Sequence, residues 1–285
     1  MPLQAAALLV LLAALWGGSF VFMRVAVPAL GAVPLAYVRV SIAAVVLLVI
    51  AFAQRRIPPF RTRWRQLAVV GVVNSAIPFS FFCYAEQYIS ASAGAVLNAT
   101  SPFFAVLAGA VFLAQPATRA KLAGIALGMV GVVVLVGLRP GATSDQVLLA
   151  VAACLVASIC YALAGVYTKR ALSDVPSHAI ACASQVFAAL ALMPLLPLTT
   201  IPGPLTGLVV INVLGLAIGS TAIAYLIYFK LIADVGPQRA LTVTFLIPLF
   251  GVLWGALFLG EPLTSNLMIG GALVVAGTIV TVRSR

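Results

Sequence analysis

Few side chains in this sequence are equipped for chemistry. Charged residues make up 7% of the 285 positions, and the one histidine, His178, falls at the start of an apolar run. No pair of acids falls inside such a run, and Cys83, Cys154, Cys160 and Cys182 lack the spacing of a metal knuckle, so they read as small buried hydrophobes. There is no P-loop lysine motif and no positioned nucleophile, base or metal ligand set. The expectation is no cofactor, no metal and no catalysis.

What remains is recognition chemistry. Arg24 and Arg39 lie inside apolar runs, where a cation costs about 2.5–3.5 kcal/mol at the centre of a membrane helix, so each must sit off-centre or find a partner. Glu86 and Glu261 fall near the same helix ends and make an ion pair or a gate the natural reading. For Arg39 a bidentate hold on a bound carboxylate stands beside that reading. Asn98, Thr100 and Ser101 precede Pro102, and Thr242 and Thr244 precede Pro248. A mid-run proline leaves the carbonyl four residues back without its helical donor, so Asn98 and Thr244 are expected to offer free carbonyls and polar side chains to a cavity. Trp16, Phe20, Phe79, Tyr161 and Tyr225, beside Asn74 and Ser220, supply aromatic walls with a few placed polar groups, the anatomy of a small-molecule site. Tyr84 and Trp254 read equally well as membrane-interface anchors.

The elements that must position these residues are repeated. Sliding the chain by 146 positions aligns Pro102 to Thr118 with Pro248 to Thr264 and gives ten identities in seventeen positions, two prolines, a glycine and two phenylalanines among them. The chain is therefore an internal duplication, with units of 1–142 and 143–285. Hydrophobic residues make up 64% and the mean hydropathy is +1.22, more than a soluble domain of this size can cover, so the surroundings are lipid. A net charge of +11 would suggest nucleic acid in a soluble protein, but here the cations cluster between apolar runs.

Ten spans are expected, at 5–28, 32–53, 66–86, 91–114, 119–138, 147–168, 177–198, 205–228, 238–259 and 265–282. The start at Met1 to Gln4 lacks a basic n-region, so the first run reads as a retained helix. Loops after even-numbered spans hold Arg55, Arg56, Arg61, Arg63, Arg65, Arg119, Lys121, Lys169, Arg170, Lys230 and Arg239, with Arg283 and Arg285 at the end, against Arg139 alone after odd ones. The positive-inside rule then puts both termini in the cytoplasm. Five spans per copy is an odd number, so the copies are inverted, a common carrier architecture with its site near the midplane between them.

Trp16-Gly17-Gly18-Ser19-Phe20-Val21 with Arg24, Pro34 followed by Arg39, the Tyr84 to Tyr88 region, and Gly260-Glu261-Pro262 together resemble the drug/metabolite transporter superfamily, EamA branch. Within it the chain is similar to amino-acid and metabolite exporters of the YddG type. The first copy departs from the pattern with Ala114-Gln115-Pro116 where a Gly-Glu is common. The resemblance implies an all-α polytopic protein of the inner membrane that exports amino acids or related metabolites by alternating access, its first four helices in each copy around a cavity and the fifth and tenth buttressing it. No carboxylate lies deep in a span, which disfavours exchange of organic cations for protons and favours zwitterionic or neutral substrates. A carrier of another metabolite class, a pore, and a membrane scaffold or embedded enzyme are the rivals. The partners are a small-molecule substrate and the bilayer, with no nucleic acid. Gly124, Gly128, Ala272 and Ala276 have the spacing of close helix contacts, either within a monomer or in a homodimer through the fifth and tenth helices.

Overall fold

The structure, a computed structural model, describes residues 2–137 and 144–283. Arg139, Arg285 and the boundary expected at 142/143 lie outside the described residues. Ten long helices follow one another: α1 (Leu3–Leu30), α2 (Ala32–Ala53), α3 (Phe60–Ala85), α4 (Ala91–Leu113), α5 (Arg119–Val136), α6 (Asp145–Ala171), α7 (Ser177–Leu198), α8 (Gly207–Val235), α9 (Val243–Leu259) and α10 (Ser265–Arg283). Among the described residues, nine are long and apolar enough to cross a membrane, while α9 has 17 residues. The span expected at 238–259 is shorter because Pro237–Ala240 forms a separate helical turn before α9 begins.

The duplication is visible in how the helices pack. α1 lies against α9 as α4 lies against α6, and α1 against α8 as α3 against α6, while α2–α7, α4–α9 and α5–α10 pair across the two copies. Exchanging each helix for its counterpart five places on reproduces this list, the pattern of a pseudo-twofold axis. Loops after even helices share one end of the bundle, where Arg63 pairs with Asp174 at 2.6 Å, and we call it the basic end. Glu86 and Glu261 lie at the other, the acidic end.

Three irregularities shape the interior. α4 is helical over Ala91–Asn98 and again over Ser101–Leu113, with a break between them at Ala99–Thr100. Pro102 stands in the first turn of the second piece, where a missing N–H costs nothing, whereas Pro248 lies inside α9. The counterparts α3 and α8 each widen into a π-helical stretch, Val72–Ala76 and Gly215–Ile223. Such stretches commonly mark functional sites, and they push Asn74 and Ser220 toward the bundle axis.

α5 and α10 run together along one flank. Gly124 and Gly128 are buried against α10, along with Gly131, Gly270 and Gly277, so these glycines serve contacts within the monomer, whereas Ala276 is half-buried and Ala272 is exposed.

Candidate functional site

A cavity of about 410 Å³ lies between the copies, lined from α1, α2, α3, α4, α6, α8 and α9 and by Leu241 just before α9. Among the described residues, none of α5, α7 or α10 lines it. Its size is within the range of small-molecule sites. The wall is chiefly aromatic. Trp16 packs against Tyr228 at 5.3 Å and edge-on to Tyr225 at 6.5 Å between ring centroids, and Phe82 stacks on Tyr161 at 6.2 Å and meets Phe20 edge-on at 5.6 Å. These offset and edge-on geometries are the favourable ones for rings and leave little freedom in the wall.

Among the described residues Arg39 is the one charged residue lining the cavity. It is 6% exposed, its guanidinium lies 3.7 Å over the Phe79 ring, and its Nε donates to Thr221 Oγ1 at 3.0 Å. Stacking and two neutral acceptors, Thr221 Oγ1 and Met23 Sδ, hold the fork in place without neutralising it. Among the described residues the ion pairs are Arg63–Asp174 and Lys230–Asp234, so the pairing expected for Arg39 and Arg24 is absent. Arg24 instead donates to the backbone carbonyl of Glu86. Glu86 terminates α3, where unpaired carbonyls carry the negative end of the helix dipole, and that acceptor is within reach while the carboxylate turns inward.

All ten residues read from the sequence as an aromatic and polar lining, Trp16, Phe20, Asn74, Phe79, Asn98, Ser101, Tyr161, Ser220, Tyr225 and Thr244, fall on this one wall. Of the two carbonyls expected to be free, that of Asn98 is taken, while at Thr244 it is the side-chain hydroxyl that is engaged. Ser101 Oγ donates to the Asn98 carbonyl at 2.7 Å and lies 3.1 Å from Ser158 Oγ, and Thr244 Oγ1 turns back to the Leu241 carbonyl at 2.8 Å. Hydroxyls one turn away compete successfully for backbone acceptors. Ser220 likewise donates to the Leu15 carbonyl at 2.6 Å, tying α8 to α1. The side-chain amide of Asn98 has no hydrogen-bond partner among the described residues, which leaves it as the polar group most available to a ligand.

Met23, Phe82 and Tyr228 also line the cavity and were not singled out in the sequence. Each stands three residues after a residue that was, Phe20, Phe79 and Tyr225, so helical spacing carried the signal. Trp254, read as a possible interface anchor, donates from Nε1 to the Ala14 carbonyl at 3.0 Å and so packs inward on α1.

A sequence model described as the EamA-like transporter family matches residues 4–137 and again 148–283. The chain belongs to the EamA-like transporter family. It is an integral, multi-pass membrane protein. An uncharacterized transporter of Archaeoglobus fulgidus is 27% identical over 95% of both chains. A probable terminal-alkyne amino-acid exporter of Streptantibioticus cattleyicolor is 28% identical over 95% of this chain and 91% of its own, and a probable amino-acid metabolite efflux pump of Salmonella typhimurium is 25% identical over 74% of each. One crystal structure, 21% identical, superposes with a TM-score of 0.67 over 97% of this chain and 96% of that one, which shows a shared fold.

The two ends of this EamA-like transporter differ. The exposed lining residues, Gly165 and Leu241, both lie toward the basic end, so the cavity opens there. The acidic end is closed by Glu261, which accepts from the amides of Ala91 at 2.7 Å and Ser92 at 3.0 Å and from Ser92 Oγ at 2.5 Å. A carboxylate on the first turn of α4 meets unpaired N–H groups and the positive end of the helix dipole. Its counterpart Gln115 is reached by the same backbone turn, with its N–H on Gly109 as that of Glu261 is on Gly255, yet it is exposed and its side chain bonds no helix among the described residues. The turn places Ala114 at φ 52° where the second copy has Gly260 at φ 64°, so the first copy pays the left-handed penalty of a β-carbon. Glu261→Ala should lower unfolding free energy by about 1–2 kcal/mol, with Glu261→Gln intermediate, read as thermal midpoints in detergent. An unchanged midpoint for both would show that the contact adds nothing.

Proposed function

We propose that the chain is an alternating-access carrier that exports amino acids, aromatic or other neutral ones among them, or closely related metabolites. The observation that carries this reading is Arg39, a guanidinium with no ion pair that is, among the described residues, the one charge on a wall of rings, aliphatic side chains and neutral polar groups. A carboxylate accepted by that fork, an ammonium or amide received near Asn98, and an apolar side chain among Trp16, Phe82 and Tyr161 would match an amino acid's three parts. The names of two relatives, an amino-acid exporter and an amino-acid metabolite efflux pump, point to the same class. Nucleotide sugars fit less well, because two phosphates would face a single cation.

Orientation follows from loop charge: the basic end and both termini face the cytoplasm of the cell's inner membrane. The test is uptake of a labelled amino-acid panel into proteoliposomes, with and without a proton gradient. Saturation and stimulation by the same solute on the far side are expected, and linear flux would indicate a pore instead. Absence of flux for every amino acid would overturn the substrate class. Asn98→Ala should raise KM roughly tenfold for transported amino acids by removing one hydrogen bond to a charged group. Thr244→Ala should change it less, since that hydroxyl is already engaged with Leu241.

A further inference from the structure

Glu86 is 0% exposed, and neither of its carboxylate oxygens has a hydrogen-bond partner among the described residues. It stands immediately after α3 at the acidic end, close to Gly94 of α4, where a β-carbon would come within 2.2 Å of Oε1 and 3.1 Å of Phe20 Cδ1. Phe20, beside the same glycine, and its edge-on partner Phe82 line the cavity while Glu86 does not, and the Glu261 clasp lies on the first turn of the same α4, so the carboxyl is sealed from solvent at 0% exposure. The charged and titratable groups around it are Glu261 from the α9–α10 connection, Arg24 from α1, Cys83 of α3 itself and Cys154 of α6. Arg24, the one cation, is committed to the Glu86 carbonyl and forms no ion pair with the carboxylate.

An ionised carboxylate in such a place has lost its hydration without gaining a partner, and the cheaper state is the neutral acid. Separating the Glu261 connection from the first turn of α4 would bring water to the same carboxyl and allow it to ionise. The two protonation states thus belong to two arrangements of one end of the bundle.

We propose that Glu86 is a proton-binding site coupled to the acidic end: the carboxyl binds one proton from solvent as the end closes and returns it as the end opens. No other co-reactant is needed, and the proton balance is one per closure. The inference rests on the alternating-access reading but not on any particular substrate. By linkage the closed form holds the extra proton, so acid favours closure and the open-to-closed ratio rises by up to tenfold per pH unit through the titration.

The test labels the exposed residues Gln87 and Leu263, one in each connection at this end, as Gln87→Cys and Leu263→Cys with the four native cysteines replaced by alanine. Pulsed electron spin resonance in nanodiscs then measures their separation from pH 5 to 9, with no substrate present. Two distance populations are expected, the longer growing with pH. Glu86→Gln should hold the shorter distance at every pH, Glu261→Gln should retain the pH dependence, and Glu86→Asp should retain it with a displaced midpoint, which covers the case that the glutamine variant does not fold. Two populations with a ratio independent of pH would overturn the proton site and leave the carrier reading standing. A single distance throughout would overturn both. A pH dependence abolished by Glu261→Gln and untouched by Glu86→Gln would assign the proton to the clasp and refute the assignment to Glu86. A pH-dependent ratio in a protein that moves no amino acid would support the proton site and refute the substrate class.

Discussion

Replacing Arg39 with glutamine is expected to lower kcat/KM for amino-acid uptake into proteoliposomes roughly 100-fold, because a buried charge-assisted contact worth about 3 kcal/mol is removed. The side chain is positioned before any ligand arrives: Phe79 lies under the guanidinium plane, Thr221 receives Nε, and Met23 Sδ stands 3.7 Å from Nη1. Nη2 has no hydrogen-bond partner among the described residues, so part of the fork is left for a carboxylate. Arg39→Lys keeps the charge and loses the planar fork and the stacking, so it should recover only a fraction of activity. The substituted proteins should stay folded, since no carboxylate is orphaned by the change. Equal uptake by Arg39→Gln and the unaltered protein would remove the observation on which the amino-acid reading rests. A loss of uptake accompanied by a large fall in thermal midpoint would instead make Arg39 a structural residue.

Gly277→Ala should destabilise the protein by about 3 kcal/mol, the upper part of the range for overpacking, and lower its thermal midpoint by roughly 6–10 °C. The added β-carbon would stand 2.5 Å from the Gly124 carbonyl oxygen, 2.6 Å from Gly128 N and 2.8 Å from Gly128 Cα. Every one of those atoms is backbone, so no rotamer change relieves the contact and α5 must move away from α10. Close approach of this kind is what small residues permit between membrane helices, where packing rather than water exclusion drives association. Gly207→Ala is the control: nothing lies within 4 Å of its β-carbon, and its stability should stay within about 0.5 kcal/mol of the unaltered protein's. Because no described residue of α10 lines the cavity, KM for a transported solute should be unchanged in the folded fraction of Gly277→Ala. An unaltered midpoint would mean that α5 and α10 are not held at this distance.

Much of this molecule follows from local and periodic features that survive in one dimension. The 146-residue repeat and the apolar runs determine ten helices in two related sets, because lipid leaves a backbone few alternatives to a helix. The ten lining residues were legible for the same reason, since a polar or aromatic side chain next to glycine, serine or proline within an apolar run has few uses other than an interior wall. The breaks were less legible. A proline announces a missing donor, but whether the helix continues through it, as at Pro248, or a new helix starts there, as at Pro102, where hydroxyls fold back on the preceding carbonyls, is decided by the packing around it. The π-helical stretches of α3 and α8 have no composition of their own, since one extra residue in a turn is stabilised by what it packs against.

The charges show the division most clearly. Arg24, Arg39, Glu86 and Glu261 suggested ion pairs when only their depth was known, because opposite charges at similar depth are the cheapest pairing to imagine. Tertiary structure decided otherwise. A ring and a hydroxyl hold Arg39, a backbone carbonyl receives Arg24, a helix N-terminus takes Glu261, and Glu86 is buried with no partner. Depth in the membrane is a property of position along the chain and can be read from it. Direction around a helix and distance to a particular atom of another helix arise only when ten helices pack, and for four charges in a medium of low dielectric those are the quantities that decide the partner.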